Sequence, residues 1–306
     1  MGARITGWGT YLPEKIITND DLAAMMDTSD EWIRERTGIV ERRVGAATST
    51  MAIAAGAQAL ESAGVEPHDI DLVILATTTA DQLMPSTAAT VQAELGLSCG
   101  AIDVNAACSG FVYALVQAAG MISLGYRRIL VVGADSLWTW TDQTDRGTAI
   151  LFADGAGAVV LEASDDDTLL GFDLGCDGDT RHLLYIDHGS TIVMNGREVF
   201  RWAVRAMVDS TNAAMMQAGI GPSDISWLIP HQANVRIIDS ACQKLGVNVE
   251  RTLNVLDRTG NTSAASIPLA LVHGIDSGRV RPGDVLALSG FGAGMTWATA
   301  ILRWQP

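Results

Sequence analysis

Asp69-Ile70-Asp71-Leu72-Val73-Ile74 and Asp224-Ile225-Ser226-Trp227-Leu228-Ile229 read as one passage written twice. Each sets a short polar lead before an apolar run. In the first copy the run continues to Ala76 with no polar break, the mark of a strand covered on both faces. Ile129-Leu130-Val131-Val132-Gly133 reads the same way. Between these two strands, Gly110 to Gly125 is apolar almost all round, which predicts a helix buried in the core. Ala156 to Leu161 closes the first half as a strand. The second half then replays the order: a strand at Gly171-Phe172-Asp173-Leu174, helical spacing from Phe200 to Gly219, the second copy of the passage, and Pro282 to Leu288 in the place of the strand near Ile129. A shared order of weak matches predicts a duplicated α/β unit. Ser164-Asp165-Asp166-Asp167 lies between apolar segments and reads as an exposed connection. It divides the chain into halves at 1–165 and 166–306, whose loops would meet at a common cleft.

The chain has 306 residues, enough for one large domain or two ordinary ones. Hydrophobic residues at 48% and charged residues at 18% exclude a disordered chain. A formal net charge of -15 argues against nonspecific nucleic-acid binding, although a local basic patch remains compatible with it. Cys99, Cys108, Cys176 and Cys242 are dispersed, with no spacing suited to zinc, so no metal is expected. The N-terminal segment MGARITGWGTYLPE has no apolar core of signal-peptide length, and no stretch of 18 apolar residues free of charge suggests a membrane span. The simple expectation is a cytoplasmic protein with free thiols. A myristoylation pattern at Gly2 to Thr6 and a glycosylation sequon at Asn261 are discounted as weak matches.

Four segments carry candidate chemistry. Cys108 stands where a short strand runs into the apolar helix. A helix N-terminus stabilises a thiolate, so the placement predicts a lowered pKa and a nucleophile; the rival reading is a small buried hydrophobe. His231 ends the apolar strand of the second copy, where open α/β sheets gather ligands. Asn261 sits in a Gly-Asn turn feeding a helix that Thr262 or Ser263 could cap. Ser289 to Trp297 is a Gly-rich stretch whose backbone N–H groups could face an oxyanion, or else a plain hairpin-like turn. No P-loop or dinucleotide fingerprint is present.

Taken together, DVNAACSGF (103–111), PHQAN (230–234), GNTSAAS (260–266) and GFGAGMTW (290–297) resemble the active-site segments of β-ketoacyl-acyl-carrier-protein synthase III, in their usual order. TSDEWI (28–33) with RTGI (36–39), and DRGT (145–148), resemble that family's coenzyme A segments. The resemblance implies an α/β thiolase-like fold, two duplicated halves, each with a five-stranded sheet, forming a five-layered αβαβα core, usually as a homodimer. It implies a decarboxylative condensation of an acyl-CoA primer with malonyl-acyl-carrier protein, with acyl-CoA as substrate and no cofactor. Cys108 would carry the acyl group, and His231 and Asn261 would hold the enolate left by loss of CO₂. The backbone N–H groups of Cys108 and Ala293 would form the oxyanion hole. Thr28, Trp32, Arg36 and Arg146 would bind coenzyme A. Met84 is the family's gate position reaching the partner's acyl pocket, and Leu137 would line that pocket.

Asn261 stands where chain-elongating relatives carry a second His, which favours the chain-initiating branch. An acidic carrier protein needs a basic patch on this acidic chain. Arg201 and Arg205, four apart on a helix, with Arg236 and Lys244, are assigned to that patch. The competing function is a related acyltransferase that moves an acyl group to an alcohol or amine without decarboxylation. Retention of both His231 and Asn261 favours condensation.

Overall fold

The computed structural model describes residues 2–306. Its strands are β1 (Gly2–Tyr11), β2 (Lys15–Thr18), β3 (Glu41–Val44), β4 (Leu72–Ala76), β5 (Gly100–Val104), β6 (Arg128–Ser136), β7 (Asp154–Ser164), β8 (Leu169–Cys176), β9 (Leu184–Tyr185), β10 (Val193–Met194), β11 (Trp227–Pro230), β12 (Val285–Gly292) and β13 (Thr296–Arg303). The helices are α1 (Asn19–Ala23), α2 (Asp30–Thr37), α3 (Thr48–Ala63), α4 (Thr87–Glu94), α5 (Gly110–Ser123), α6 (Arg146–Ala149), α7 (Gly196–Ala218), α8 (Val235–Leu245), α9 (Leu256–Thr259) and α10 (Ser266–Asp276).

One sheet has the order β1-β7-β6-β4-β5 and the other β11-β12-β13-β8. The pairings repeat as well as the order. Strand β4 lies parallel to β6, which is antiparallel to β7, which is antiparallel to β1. Likewise β11 is parallel to β12, β12 antiparallel to β13, and β13 antiparallel to β8. The entry into β4 and β11 is built alike. Helices α3 and α7 each end on a left-handed glycine, Gly64 and Gly219, and a single 3-10 turn follows at Pro67–Asp69 and at Pro222–Asp224. Glycine tolerates that conformation without a Cβ clash, so the chain can turn back sharply.

The strand sequences explain the layering. In β4, Leu72, Ile74 and Ala76 face the central layer of α5 and α10, while Val73 and Leu75 face α3 and α4. In β12, Leu286 and Leu288 face the same central layer, and Val285 and Ala287 face α7 and α8. A period of two with both faces apolar makes each sheet a middle slice. The result is the αβαβα stack, with α5 and α10 shared by both sheets.

Two expectations need correction. The second sheet has four strands, not five. In the place equivalent to β5 there is one isolated parallel bridge, Leu228 to Thr252, with the Leu253 N–H donating to the Leu228 carbonyl at 3.0 Å. A 3-10 turn at Val249–Arg251 precedes it and an Asn254 turn follows, so no length remains for a strand. Helix α5 is also not buried all round. Phe111, Ala114, Leu115, Ala118 and Ile122 are buried, but Gln117, Gly120 and Ser123 are exposed, as is Leu124 just past its end. The neighbouring edge strand β5 leaves Ile102 at 40%.

No helix among the described residues is long and apolar enough to cross a membrane. Gly133 lies in the middle of β6, where a Cβ would run into the Ala264 carbonyl of the loop that carries Asn261. Gly133→Ala is therefore expected to lower stability by about 1–3 kcal/mol in urea unfolding, the usual range for overpacking. An unchanged midpoint would contradict this close approach.

Candidate active site

Cys108 lies in a 3-10 turn, Ala107–Ser109, between β5 and α5. Ala107 takes a left-handed φ of 48°, which is costly for a residue with a Cβ and turns the chain tightly into the helix. The turn fits because Gly292 faces it: a Cβ there would overlap the Cys108 N–H. The helix-end prediction of a lowered thiol pKa is overturned. Burial pushes the Cys108 thiol up to about 12, opposed by a Ser263 hydroxyl hydrogen bond and reinforced by the Asp135 charge. The helix proper starts at Gly110, and desolvation of a sulfur anion outweighs its partial charge.

His231 follows β11, and its N–H donates to the Ser289 carbonyl at 2.8 Å. The ring is buried, with Nδ1 2.7 Å from the Ser266 hydroxyl and Phe291 edge-on at 5.1 Å. Burial pulls its pKa down to about 3, so the imidazole is neutral at physiological pH. Asn261 is locked from three sides. Its N–H donates to the Leu151 carbonyl at 2.8 Å, and its carbonyl accepts from the Ala153 N–H at 2.9 Å. Its side-chain Oδ1 accepts from the Ser263 N–H at 3.0 Å, which leaves the Nδ2 amide as the free donor.

Cys108, His231 and Asn261 line one cavity of about 560 Å³ together with Phe291 and Gly292. Its mouth carries Trp32, Arg36, Arg146 and Arg236. Two guanidinium groups pack on the Trp32 ring, Arg36 at 4.6 Å and Arg146 at 4.7 Å from its centroid. Thr28 lies outside this lining, its Oγ1 buried without a partner. A second cavity of about 470 Å³ reaches Cys108 along with Leu137, Ile186, Ile192 and Ala293. Cys108, Phe152 and Leu184 line both cavities. Ala293 is in the hairpin turn between β12 and β13, which lines the second cavity beside Cys108. Met84 is 84% exposed and lines neither cavity of its own chain.

The four basic residues assigned to a docking patch separate. Arg236 and Arg201 line a hollow of about 490 Å³ beside the cavity mouth, joined by Arg36 and Arg197. Arg205 lies in another groove among Asp173, Asp177 and Asp209, with its Nε 3.5 Å from Asp209. Lys244 is in the last turn of α8, whereas Arg236 is in the first. Spacing by four does give one helix face, but each step also climbs a full turn, and the acidic groove begins there.

Several contributors escaped the sequence reading. Neither Thr262 nor Ser263 caps α10, which has no side-chain cap. Ser263 instead adopts a left-handed φ of 52° and turns its hydroxyl to the Cys108 sulfur. Asp135, at the end of β6, accepts from the backbone and hydroxyls of Thr78 and Thr79 and, at 3.1 Å, from the Ala264 N–H. An acid closing an apolar strand was the available signal for Asp135. Arg197 was visible only as one more charge on a helix. No group of three or more His, Cys, Asp or Glu among the described residues could hold a metal ion.

A thiol, a neutral imidazole and a carboxamide around one chamber, on a duplicated αβαβα frame, define a condensing, acyl-transferring enzyme of the thiolase fold. The family described as 3-oxoacyl-[acyl-carrier-protein (ACP)] synthase III matches residues 102–178, and its C-terminal part matches 215–304. A β-ketoacyl-[acyl-carrier-protein] synthase III of Geobacillus kaustophilus is 51% identical over 99% of this chain and 99% of its own. The crystal structure of the Aquifex aeolicus VF5 3-oxoacyl-[acyl-carrier-protein] synthase III superposes with a TM-score of 0.97 at 44% identity, covering 99% of this chain and 100% of that one. The priming β-ketosynthase of the R1128 polyketide pathway follows at 0.94 and 37%, covering 100% and 97%. The chain belongs to the β-ketoacyl-[acyl-carrier-protein] synthase III family.

The thiol's environment makes a direct test possible. Iodoacetamide labelling of Cys108 in the substrate-free protein, followed by peptide mass spectrometry, is expected to accelerate steadily past pH ~10. A plateau near pH ~8 would place the thiol at or below its ordinary value and reject the burial argument.

Proposed function

We propose that the two cavities divide one reaction, with coenzyme A and carrier pantetheine entering by the Trp32 side and the acyl chain lodging on the Leu137 side. The reading rests on one observation, the convergence of Cys108, His231 and Asn261 on a single buried chamber. In the loading step the Cys108 sulfur attacks the thioester carbonyl of the acyl-CoA primer. The carbon–sulfur bond to coenzyme A breaks, and the thiol proton leaves with the departing thiol. The tetrahedral oxyanion accepts from the N–H groups of Cys108 and Ala293.

Malonyl-acyl-carrier protein then occupies the vacated side. Its carboxylate leaves as CO₂, and the electron pair of the broken carbon–carbon bond passes to an enolate. Neutral His231 and the Asn261 amide donate to the enolate oxygen, and neither brings a competing negative charge. The enolate carbon attacks the acyl-Cys108 carbonyl. A new carbon–carbon bond forms, the carbon–sulfur bond breaks, the Cys108 thiolate so released takes up a proton from solvent, and the β-ketoacyl chain leaves on the carrier. No cofactor takes part. Trp32, Arg36 and Arg146 hold the nucleotide end of coenzyme A, with Thr28 beside them at the start of α2. The hollow lined by Arg36, Arg197, Arg201 and Arg236 is the docking surface for the acidic carrier; Arg205 and Lys244 fall outside it.

The same reading takes the halves 1–165 and 166–306 as the two units of the duplication and places the protein in the cytoplasm. It also makes the protein a homodimer. The open β5 edge with Ile102, the bare Leu124 end of α5 and the projecting Met84 are the apolar surfaces a second copy would cover. In that assembly Met84 would reach the partner's acyl cavity.

Mass spectrometry of the protein with an acyl-CoA, then with malonyl-acyl-carrier protein, is the direct test. An acyl adduct on Cys108, followed by CO₂ and a two-carbon-extended product, is expected; transfer to a hydroxyl without CO₂ would favour simple acyl transfer. Asn261→Ala is expected to load normally yet lose about 10²–10³-fold in condensation, the usual cost of one oxyanion donor. Arg236→Glu is expected to raise KM for the carrier substrate several-fold at low salt, and by more than it raises KM for acyl-CoA, with the difference shrinking as salt rises. Equal KM values at low salt would remove Arg236 from the docking surface.

A further inference from the structure

His231 needs more than a neutral ring. A neutral imidazole carries its single proton on one nitrogen, and only that nitrogen can donate. The partner of Nδ1 is the Ser266 hydroxyl, 2.7 Å away, on the first turn of α10. Ser266 is fully buried, as is Gln232 next to the histidine.

A serine hydroxyl has one proton to give and two lone pairs to receive with. The Gln232 backbone N–H approaches Ser266 Oγ at 3.3 Å and can only donate. That N–H does not swing away, because the Gln232 side chain is held at both ends. Its Nε2 donates to the Pro230 carbonyl at 2.6 Å and to the Leu253 carbonyl at 3.3 Å, and its Oε1 accepts from the Val255 N–H at 3.0 Å. With one lone pair of Ser266 Oγ taken, the hydroxyl proton still needs an acceptor. The Nδ1 lone pair is the acceptor in reach. The opposite arrangement would put a second donor on Oγ and leave a buried hydroxyl proton with nowhere to go, an arrangement native interiors avoid.

We propose that Ser266 is a positioning residue that fixes His231 in the tautomer with its proton on Nε2, so that the ring can only donate into the chamber. This rests on the condensation reading of His231 and Asn261. It adds a restriction that reading does not contain. With Nε2 protonated, His231 has no lone pair in the chamber to take the proton of Cys108, so acyl loading proceeds without it as a base. Ser266 therefore matters to the enolate half of the reaction and not to loading.

The test begins with the wild-type protein and needs no variant. ¹⁵N NMR of histidine-labelled protein, with His231 assigned by comparison with His231→Asn, reads which ring nitrogen carries the proton. Nε2–H is expected; Nδ1–H would overturn the proposal. Ser266→Ala is then expected to shift the ¹⁵N signals toward a mixture of tautomers and to cut condensation by about tenfold or more, the direction known for a histidine in the wrong tautomer. Cys108 loading, measured as the acyl adduct, should stay within about twofold of wild type. Ser266→Thr, which keeps the hydroxyl, should restore both the spectrum and condensation. Wild-type condensation in Ser266→Ala, or an equal loss of loading and condensation without rescue by Thr, would also overturn it. Wild-type protein that shows Nε2–H yet releases no CO₂ from malonyl-acyl-carrier protein would instead count against the condensation reading itself.

Discussion

A backbone crossing at Asn261 holds the catalytic loop of the second half in register with the first. Asn261 belongs to the second half, yet its N–H and carbonyl pair with Leu151 and Ala153 of the first, forming a parallel bridge opposite Phe152. Three residues on, the Ala264 N–H reaches Asp135 at the end of β6. The loop passes so close to β6 that only a glycine fits at 133. Because these bonds are made by buried main chain, the loop has no alternative partners to drift toward. The distance between the nucleophile and its helpers is thereby set by peptide geometry, not by flexible side chains.

Burial then does the electrostatic work. The same burial that raises the Cys108 thiol keeps His231 uncharged, and both effects disfavour ions in the site. Two left-handed residues with side chains, Ala107 and Ser263, flank the sulfur from two separate 3-10 turns. Local backbone strain of this kind persists where surrounding structure over-determines it, and here Gly292, Asn261 and Asp135 supply the surroundings.

Much of this could be read in the sequence because it depends on period and order. The runs at Leu72 and Ile129 announce doubly covered strands, and the twin passages at Asp69 and Asp224 announce the duplication. Motif order supplied Cys108, His231 and Asn261. What could not be read depends on distances between remote residues or on the balance of opposed effects. A helix start beside Cys108 suggests a lowered pKa, and only the depth of burial reverses the sign. Thr252 has the composition of a strand residue, but the turns on both sides cut the strand to one bridge. Ser266 looks like a small residue opening a helix, and nothing local says that it faces a histidine 35 positions away. Arg201 and Arg205 share a helix face, yet Asp209 one turn further along the same helix and Asp173 and Asp177 from another segment set Arg205 in an acidic groove.

The meeting of two chambers at one sulfur has a consequence for the shape of molecules that could block it. Cys108 is approached from two cavities that share only Cys108, Phe152 and Leu184 among their lining residues. A compound that reaches past the sulfur from one to the other would combine two sets of contacts, a slender linker on the arginine-rimmed side and a greasy tail on the other.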